Sequence, residues 1–161
     1  MQIKLVAIGT RMPKWVEQGF SEYAKRLPTI CQLELLEVPA LKRGKNADIP
    51  RILRDEATAL RHAITHSLGA QAKIIALDRK GRKIDTLTLA RQQQQWIDDS
   101  QGVAIVIGGP EGLEPEFLAS ADAIWTLSAL TFAHPLVRVM VAEQLYRAWS
   151  INANLPYHRG E

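Results

Sequence analysis

Short apolar runs alternate along the chain with longer segments in which apolar residues recur with the period of a helix. This alternation predicts an α/β fold with a mostly parallel sheet. The run at 103–107, Val-Ala-Ile-Val-Ile, contains no polar residue. Such a run is typical of a strand buried on both faces, so we expect it at the centre of the sheet. The five predicted strands are residues 3–8, 33–38, 73–77, 103–107 and 123–127.

Five helices are predicted between and after these strands. Prolines lie at or near the predicted starts of four of them, and Asp48 and either Thr86 or Thr88 are expected to act as caps of the second and third helices. The first helix would begin at Pro13, and its apolar face would carry Trp15, Phe20, Tyr23, Ala24 and Leu27. The other predicted helices are 49–69, 86–97, 115–121 and 135–151.

The last predicted helix is apolar over most of its circumference. A helix packed on one sheet needs only one apolar face, so this helix must be covered on more than one side. Two explanations remain open. Either a second subunit covers it in a homodimer, or it is a central helix buried within one chain.

Length and composition favour one soluble domain spanning residues 1–161, with 47% hydrophobic residues available for a core. The single cysteine, Cys31, excludes an intrachain disulfide and fits a reducing compartment. The first apolar run is too short for a signal peptide, and no run is long enough to cross a bilayer. We therefore expect a cytoplasmic protein without a membrane partner.

The formal net charge is only +3, but the positive charge is concentrated in two clusters. Both are expected in loops, where they could contact the phosphates of a nucleic acid. Ordinary solvated surface is the alternative interpretation. One cluster, around Gly44, is Lys42, Arg43 and Lys45; the other, around Gly81, is Arg79, Lys80, Arg82 and Lys83.

A glycine-rich segment, residues 108–112 with the sequence Gly-Gly-Pro-Glu-Gly, follows the most apolar strand. Glycines at the carboxyl end of a strand allow a ligand to approach the backbone, although they also form plain turns. The spacing is neither that of a dinucleotide fingerprint nor that of a phosphate-binding loop. His62 and His66 lack the intervening glutamate of a zinc protease, and Ser128 lacks a nucleophile elbow, so neither a metal site nor hydrolysis is expected.

A second candidate loop, residues 127–135, joins the last strand to the last helix. Its small, hydroxyl and apolar side chains suit a ligand that is partly aromatic and partly polar. The free amides at the start of the following helix could bind an anionic group. A plain connecting turn is the alternative.

Several long motifs, in one order along essentially the whole chain, resemble the RlmH family, the small SPOUT-type methyltransferases of ribosomal RNA. They include Gly-Thr-Arg-Met-Pro at 9–13, Lys-Arg-Gly-Lys-Asn-Ala-Asp-Ile at 42–49 and Ile-Gly-Gly-Pro-Glu-Gly-Leu at 107–113. Further matches are Leu-Ser-Ala-Leu-Thr-Phe at 127–132, His-Pro-Leu-Val-Arg-Val at 134–139, Glu-Gln-Leu-Tyr-Arg-Ala at 143–148 and Pro-Tyr-His-Arg at 156–159.

This resemblance implies a SPOUT fold with a C-terminal trefoil knot, a homodimer whose interface lies beside the cofactor, and S-adenosylmethionine as that cofactor. It implies methylation of N3 of a pseudouridine in large-subunit (23S) ribosomal RNA, without a metal. Because the short chain has no added RNA-binding domain, we expect the assembled ribosome to supply much of the specificity, with free subunits as the alternative substrate. A binding protein that has lost catalysis and a transfer-RNA methyltransferase are the alternatives. The implied cofactor contacts are Leu77, Gly109, Leu127, Ser128, Ala129, Leu130, Thr131 and Phe132.

Groups on the substrate side are less well defined. Arg138, Tyr157 and His158 are the candidate catalytic residues, and an ion pair of Arg138 with Glu143 or with an acid of a partner subunit is the alternative. For His134 a helix-capping role is as well supported as a chemical one. The tail, residues 152–161, would stack on the target base and contact its phosphate, and packing of Tyr157 against a neighbouring subunit is the alternative. The candidate RNA contacts are Lys42, Arg43, Lys45 and Arg159.

Overall fold

The computed structural model describes residues 1–159, so the last two residues of the predicted tail, Gly160 and Glu161, lie outside it. Within that range five strands form one parallel sheet in the order β2-β1-β4-β3-β5. All five residues of β4 are buried, and β4 is the central strand, as the apolar run predicted. The strands are β1 (Gln2–Ile8), β2 (Gln32–Val38), β3 (Lys73–Lys83), β4 (Val103–Ile107) and β5 (Ala123–Thr126).

Five helices and one 3₁₀ turn (Thr29–Cys31) connect and follow the strands. The Asp48 carboxylate caps α2 by accepting from the Arg51 backbone N–H at 3.3 Å. The expected threonine cap of α3 is wrong: Asp85 occupies that position, and its carboxylate accepts from the Thr88 N–H at 2.7 Å. The helices are α1 (Lys14–Ala24), α2 (Ile49–Leu68), α3 (Thr86–Asp98), α4 (Pro115–Ser120) and α5 (His134–Asn152).

The sheet separates two apolar cores, because alternate residues of each strand point to opposite faces. In β1, Ile3, Leu5 and Ala7 belong to the core shared with α1, α3 and α5. Val6 and Ile8 belong to the core shared with α2 and α4. The fold is therefore a three-layer α/β sandwich, which confirms the predicted fold class.

Two neighbouring helices cover the sides of α5 within one chain. On the α1 side, Gly19 packs so closely that a Cβ there would lie 3.1 Å from a methyl group of Val139. On the α3 side, the Gln93 amide donates to the Leu145 carbonyl at 3.0 Å. Burial within the chain thus accounts for much of the apolar surface of α5, and the homodimer stays a prediction.

Two local expectations are wrong. Trp15, assigned to the apolar face of α1, is 55% exposed, and the buried residues of that helix are Val16 and Phe20. Strand β3 continues to Lys83, six residues beyond the predicted end, so the basic cluster around Gly81 lies in a strand instead of a loop.

In the part of the chain that the structure describes, no helix is long and apolar enough to span a membrane.

Candidate active site

A cavity of about 820 Å³ opens at the carboxyl edge of the sheet, where β1, β4 and β5 end, and residues 77–79 within β3 also line it. This edge is the usual ligand position in parallel α/β sheets. The glycine loop (residues 108–112) and the 127–132 loop both line it, as the sequence predicted for a binding site. Of the predicted cofactor residues, Ala129 is exposed and outside the lining; those that line the cavity are Leu77, Gly109, Leu127, Ser128, Leu130, Thr131 and Phe132.

The glycine loop is a tight turn that only glycine permits at two positions. Gly112 has a φ of 80°, a backbone conformation that other residues rarely adopt, and its N–H donates to the Gly109 carbonyl at 3.0 Å. A Cβ on Gly108 would lie 2.6 Å from the carbonyl carbon of Gly112. The loop therefore brings main-chain atoms to the cavity wall.

The 127–132 loop is held by hydrogen bonds around Ser128. The Ser128 hydroxyl accepts from the Leu130 N–H at 3.0 Å, and the Ser128 carbonyl accepts from the Thr126 hydroxyl at 3.0 Å. Leu130 is 71% exposed, the highest fraction among the exposed large apolar side chains. The loop thus presents an apolar side chain at the mouth of the cavity on an ordered backbone.

Arg43, predicted to contact RNA, is engaged by groups of its own chain. Its two terminal nitrogens donate to the two oxygens of Glu56, each at 3.0 Å, and its Nε donates to Glu111 of the glycine loop. Glu56 is only 3% exposed, and its hydrogen bonds raise the pKa of the Arg43 guanidinium. Lys42 and Lys45, in contrast, are exposed and make no ion pair within residues 1–159.

This bond network changes the interpretation of Gly109. A Cβ at that position would lie 3.1 Å from a methyl group of Ile8 and 3.3 Å from Nη2 of Arg43. The missing side chain therefore makes room for the Arg43–Glu56 pair behind the loop. The predicted contact of Gly109 with the cofactor stays a prediction, since Gly109 also lines the cavity.

Arg138 is buried behind the cavity and is 1% exposed. Its guanidinium donates to Glu37 at 2.7 Å, to the Gly9 carbonyl at 3.0 Å and to Nε2 of His134 at 3.0 Å. Arg138 thus makes a structural ion pair, which was the alternative interpretation, but its partner is Glu37 and not Glu143, which accepts from Arg147 at 2.8 Å. Arg138 ties the ends of β1 and β2 to the first turn of α5.

His134 lines the cavity at the start of α5. Because its Nε2 accepts from Arg138, the proton lies on Nδ1, which donates to the Gly108 carbonyl at 3.0 Å. Burial, and then the charge of Arg138, lower the pKa of His134, so the ring is neutral. The capping interpretation is wrong, because the N-cap residue of α5 is Ala133 and no side chain caps the helix.

The tail packs on the C-terminal half of α5, and none of its described residues lines the cavity. The Tyr157 ring meets Tyr146 edge to face at 4.7 Å, and the Arg147 guanidinium lies over Tyr157 at 4.8 Å and 3.2 Å from Nδ1 of His158. Tyr146 follows His134 by twelve residues, which corresponds to about 18 Å along a helix. Within one chain, the tail and the cavity are therefore separate. Arg159 is exposed.

Several residues that line the cavity were not predicted as site residues from the sequence, chiefly Met12, Asp78 and Trp125. Asp78 directly follows the third strand that the sequence predicted (73–77), and that position at the expected carboxyl edge of the sheet was the available signal. One of its oxygens accepts from the Lys80 N–H at 3.0 Å, and the other has no hydrogen-bond partner within residues 1–159.

The described part of the chain contains no group of three or more histidine, cysteine, aspartate or glutamate residues placed to hold a metal. His62 and His66 stack on the exposed face of α2, with ring centroids 6.2 Å apart. Within the described residues, no third side chain suited to bind a metal lies beside these two histidines.

Three solved structures share the fold at low sequence identity. A probable methylase family protein from Haemophilus influenzae Rd KW20 matches with a TM-score of 0.59 and 15% identity, over 98% of this chain and 70% of that one. A probable methyltransferase from Bordetella pertussis Tohama I matches with 0.56 and 19%, over 91% and 95%. A protein from Bacillus anthracis, named as a candidate RNA methyltransferase, matches with 0.54 and 13%, over 99% of both chains.

A family model covers nearly the whole chain. The model described as predicted SPOUT methyltransferase matches residues 1–158, which include every element of the fold and both loops at the cavity. The chain belongs to the SPOUT methyltransferase family.

Proposed function

We propose that this protein transfers a methyl group from S-adenosylmethionine to N3 of a pseudouridine in 23S ribosomal RNA, with the assembled cytoplasmic ribosome as substrate. The observation that carries the proposal is the cavity at the carboxyl edge of the sheet. Seven of the eight residues that the RlmH resemblance implies as cofactor contacts line this cavity. The trefoil knot around these loops stays a prediction of the same resemblance.

The cavity residues fit the cofactor that SPOUT methyltransferases generally use. Leu77, Leu127 and Phe132 can pack on an adenine ring, and the main chain of the glycine loop can bind its polar edge. The carboxylates of Asp78 and Glu111 lie in the same lining and suit a cationic ligand. Bound there, the cofactor supplies an electrophilic methyl carbon.

Methylation at N3 also requires a group that accepts the N3 proton. Among the lining groups, His134 has both ring nitrogens engaged, and Glu111 is paired with Arg43. Of the two lining carboxylates, Asp78 is the one that makes no ion pair within residues 1–159, and one of its oxygens makes no hydrogen bond there. We propose that Asp78 accepts the proton.

In this proposal Arg138 does not contact the substrate, and its role is to hold other residues of the site in place. It is buried, its guanidinium already has three partners, and it is not part of the lining. Through His134 it fixes the carbonyl of Gly108 and so the start of the glycine loop. We assign it as a positioning residue.

The proposed roles of Tyr157 and His158 require a second copy of the chain. Both side chains contact Arg147 on α5, away from the cavity of their own chain. The exposed apolar side chains Leu130 and Leu136, beside the cavity, supply a surface for that second copy. A homodimer would place the tail of one protomer at the cavity of its partner.

Support for an RNA substrate comes from the resemblance and from the name of the Bacillus anthracis protein. Exposed Lys42 and Lys45, on the loop that Arg43 ties to the glycine loop, are available for phosphates. A binding protein without catalysis is the second candidate, and the intact cavity disfavours it.

Purified protein incubated with radiolabelled S-adenosylmethionine and ribosomes, separated subunits or transfer RNA tests the proposal. Label in 23S RNA, mapped by nuclease digestion to N3-methylpseudouridine, is the expected result. Thr131→Arg, which places a long side chain in the lining, should abolish labelling, whereas Thr65→Arg on the exposed face of α2 should not. Cofactor binding without transfer to any RNA would support the binding-protein alternative instead.

A further inference from the structure

Strand β3 contains a four-residue bulge beside the cavity. Leu77 and Arg82 both pair with Trp125 of β5, so the residues from Asp78 to Gly81 have no partners of their own in the ladder. Asp78 and Arg79 line the cavity. The bulge therefore forms part of the cavity rim.

The chain around this bulge is held in place by close contacts. Lys80 donates its backbone N–H to the Asp78 carboxylate at 3.0 Å. Gly81 packs on β5 so closely that a Cβ there would lie 2.5 Å from the carbonyl carbon of Trp125. The Trp125 ring in turn stacks on buried Trp96, with ring centroids 6.2 Å apart. The rim is therefore a fixed surface.

Four cations project from this segment, which we call the basic rim: Arg79, Lys80, Arg82 and Lys83. All four are exposed, and none makes an ion pair within residues 1–159. Arg43, from the other basic cluster, is instead held by Glu56 and Glu111. Four like charges within residues 79–83 repel each other, and an anionic partner would relieve that repulsion.

We infer that the basic rim binds the RNA backbone on either side of the nucleotide whose base enters the cavity. This inference rests on the proposed function and adds a contact surface to it. A base can enter a cavity only after leaving its stack, and its flanking phosphates then lie close to the cavity mouth. Arg79 is both a lining residue and a rim cation, so phosphate contact and base entry occur at one place.

Two double variants test the inference: Arg79→Ser with Lys80→Ser, and Arg82→Ser with Lys83→Ser. The control, Lys25→Ser with Arg91→Ser, removes the same charge from exposed positions at the end of α1 and on α3. Binding to purified ribosomes is measured at several KCl concentrations with magnesium held fixed. Each phosphate contact contributes about 0.7 to the slope of log K against log salt, so each rim variant should lower the slope by about 1.4.

The outcomes distinguish this inference from the proposed function. Wild-type slopes in both rim variants, with intact binding by the wild type, would overturn the inference and leave the proposed function standing. Failure of the wild type to bind ribosomes would count against the proposed function itself. Calorimetry with S-adenosylmethionine alone should give unchanged affinity for the Arg82/Lys83 variant, since neither residue lines the cavity, and this result would exclude misfolding.

Discussion

A neutral His134 holds the start of the glycine loop, and its protonation would break that arrangement. The protonated ring would carry a charge beside Arg138 and could no longer accept from it. Because the pKa of His134 is lower in the folded protein than in the unfolded chain, the unfolded state binds the proton more readily. The stability that His134 contributes is therefore present above its ordinary pKa of 6.5 and is lost as the pH falls through its folded value.

We predict that the melting temperature of the wild type falls more steeply below pH 6.5 than that of His134→Gln. Glutamine keeps a polar side chain at this position but does not titrate. Thermal unfolding followed by circular dichroism between pH 8 and pH 5 measures the difference, with His62→Gln as control on the exposed face of α2. Parallel curves for wild type and His134→Gln would contradict the role of His134.

Asp78 gives a second prediction at the residue scale. If it accepts the N3 proton, Asp78→Asn should lower the rate of methyl transfer by about 100-fold or more, the usual effect of losing a general base. Cofactor affinity, measured by calorimetry, should change far less, and Asp78→Glu should restore part of the rate. Loss of affinity and rate in equal measure would show that Asp78 serves cofactor binding instead.

At the scale of elements, helix α2 supports the glycine loop from behind, because its residue Glu56 holds Arg43, which in turn bonds to Glu111 of the loop. Gly109→Ala should displace Arg43 or Ile8, since its Cβ would approach both closely. Overpacking of this kind costs about 1–3 kcal/mol, so cofactor affinity should fall about tenfold. Gly44→Ala is the matched control, because a Cβ there meets nothing within 4 Å. Equal affinities for the two variants would contradict the proposed support of the loop by Arg43.

Most elements were predictable because their signals are local. Asp48 and Gly69 mark the ends of α2, and the apolar run from Val103 to Ile107 marks β4. The extension of β3 was not predictable, since the segment after Leu77 is polar and is held in place by packing against β5. Local pattern carries no information about such a contact.

The partners of Arg43 and Arg138 were unpredictable for the same reason. Arg43 meets Glu111 across 68 residues of sequence, and Arg138 meets Glu37 across 101. The basic cluster suggested that Arg43 contacts RNA, and Arg138 was a candidate catalytic residue. In the folded chain both side chains instead bond to residues around the cavity. The two cavity loops were found because each directly follows a parallel strand, which places it at the carboxyl edge of the sheet.

At the scale of the whole molecule, the proposed homodimer has a specific apolar surface. Leu136 is 40% exposed, and Met140, one helical turn later on the same side of α5, is half-buried. Leu136→Glu should give monomers in sedimentation experiments at micromolar concentration, because a buried unpaired charge opposes association. Ile30→Glu, at a somewhat more exposed position on the 3₁₀ turn, should leave the dimer intact. A monomeric wild type would contradict the dimer directly.

The tail provides the sharpest test of how two chains would cooperate. A chain ending at Leu155 lacks Tyr157 and His158, and Thr131→Arg blocks the cavity, so we expect each variant alone to be inactive. If the tail acts on the partner's cavity, a mixed dimer contains one complete site, made from the open cavity of the truncated chain and the tail of the other. Random pairing of equal amounts should then restore about a quarter of wild-type activity, since half of the dimers are mixed and each has one working site. Refolding the two variants together and measuring methyl transfer to ribosomes checks this. No restored activity, with mixed dimers confirmed by differently tagged chains, would mean that the tail acts only where it packs, on Tyr146 of its own chain.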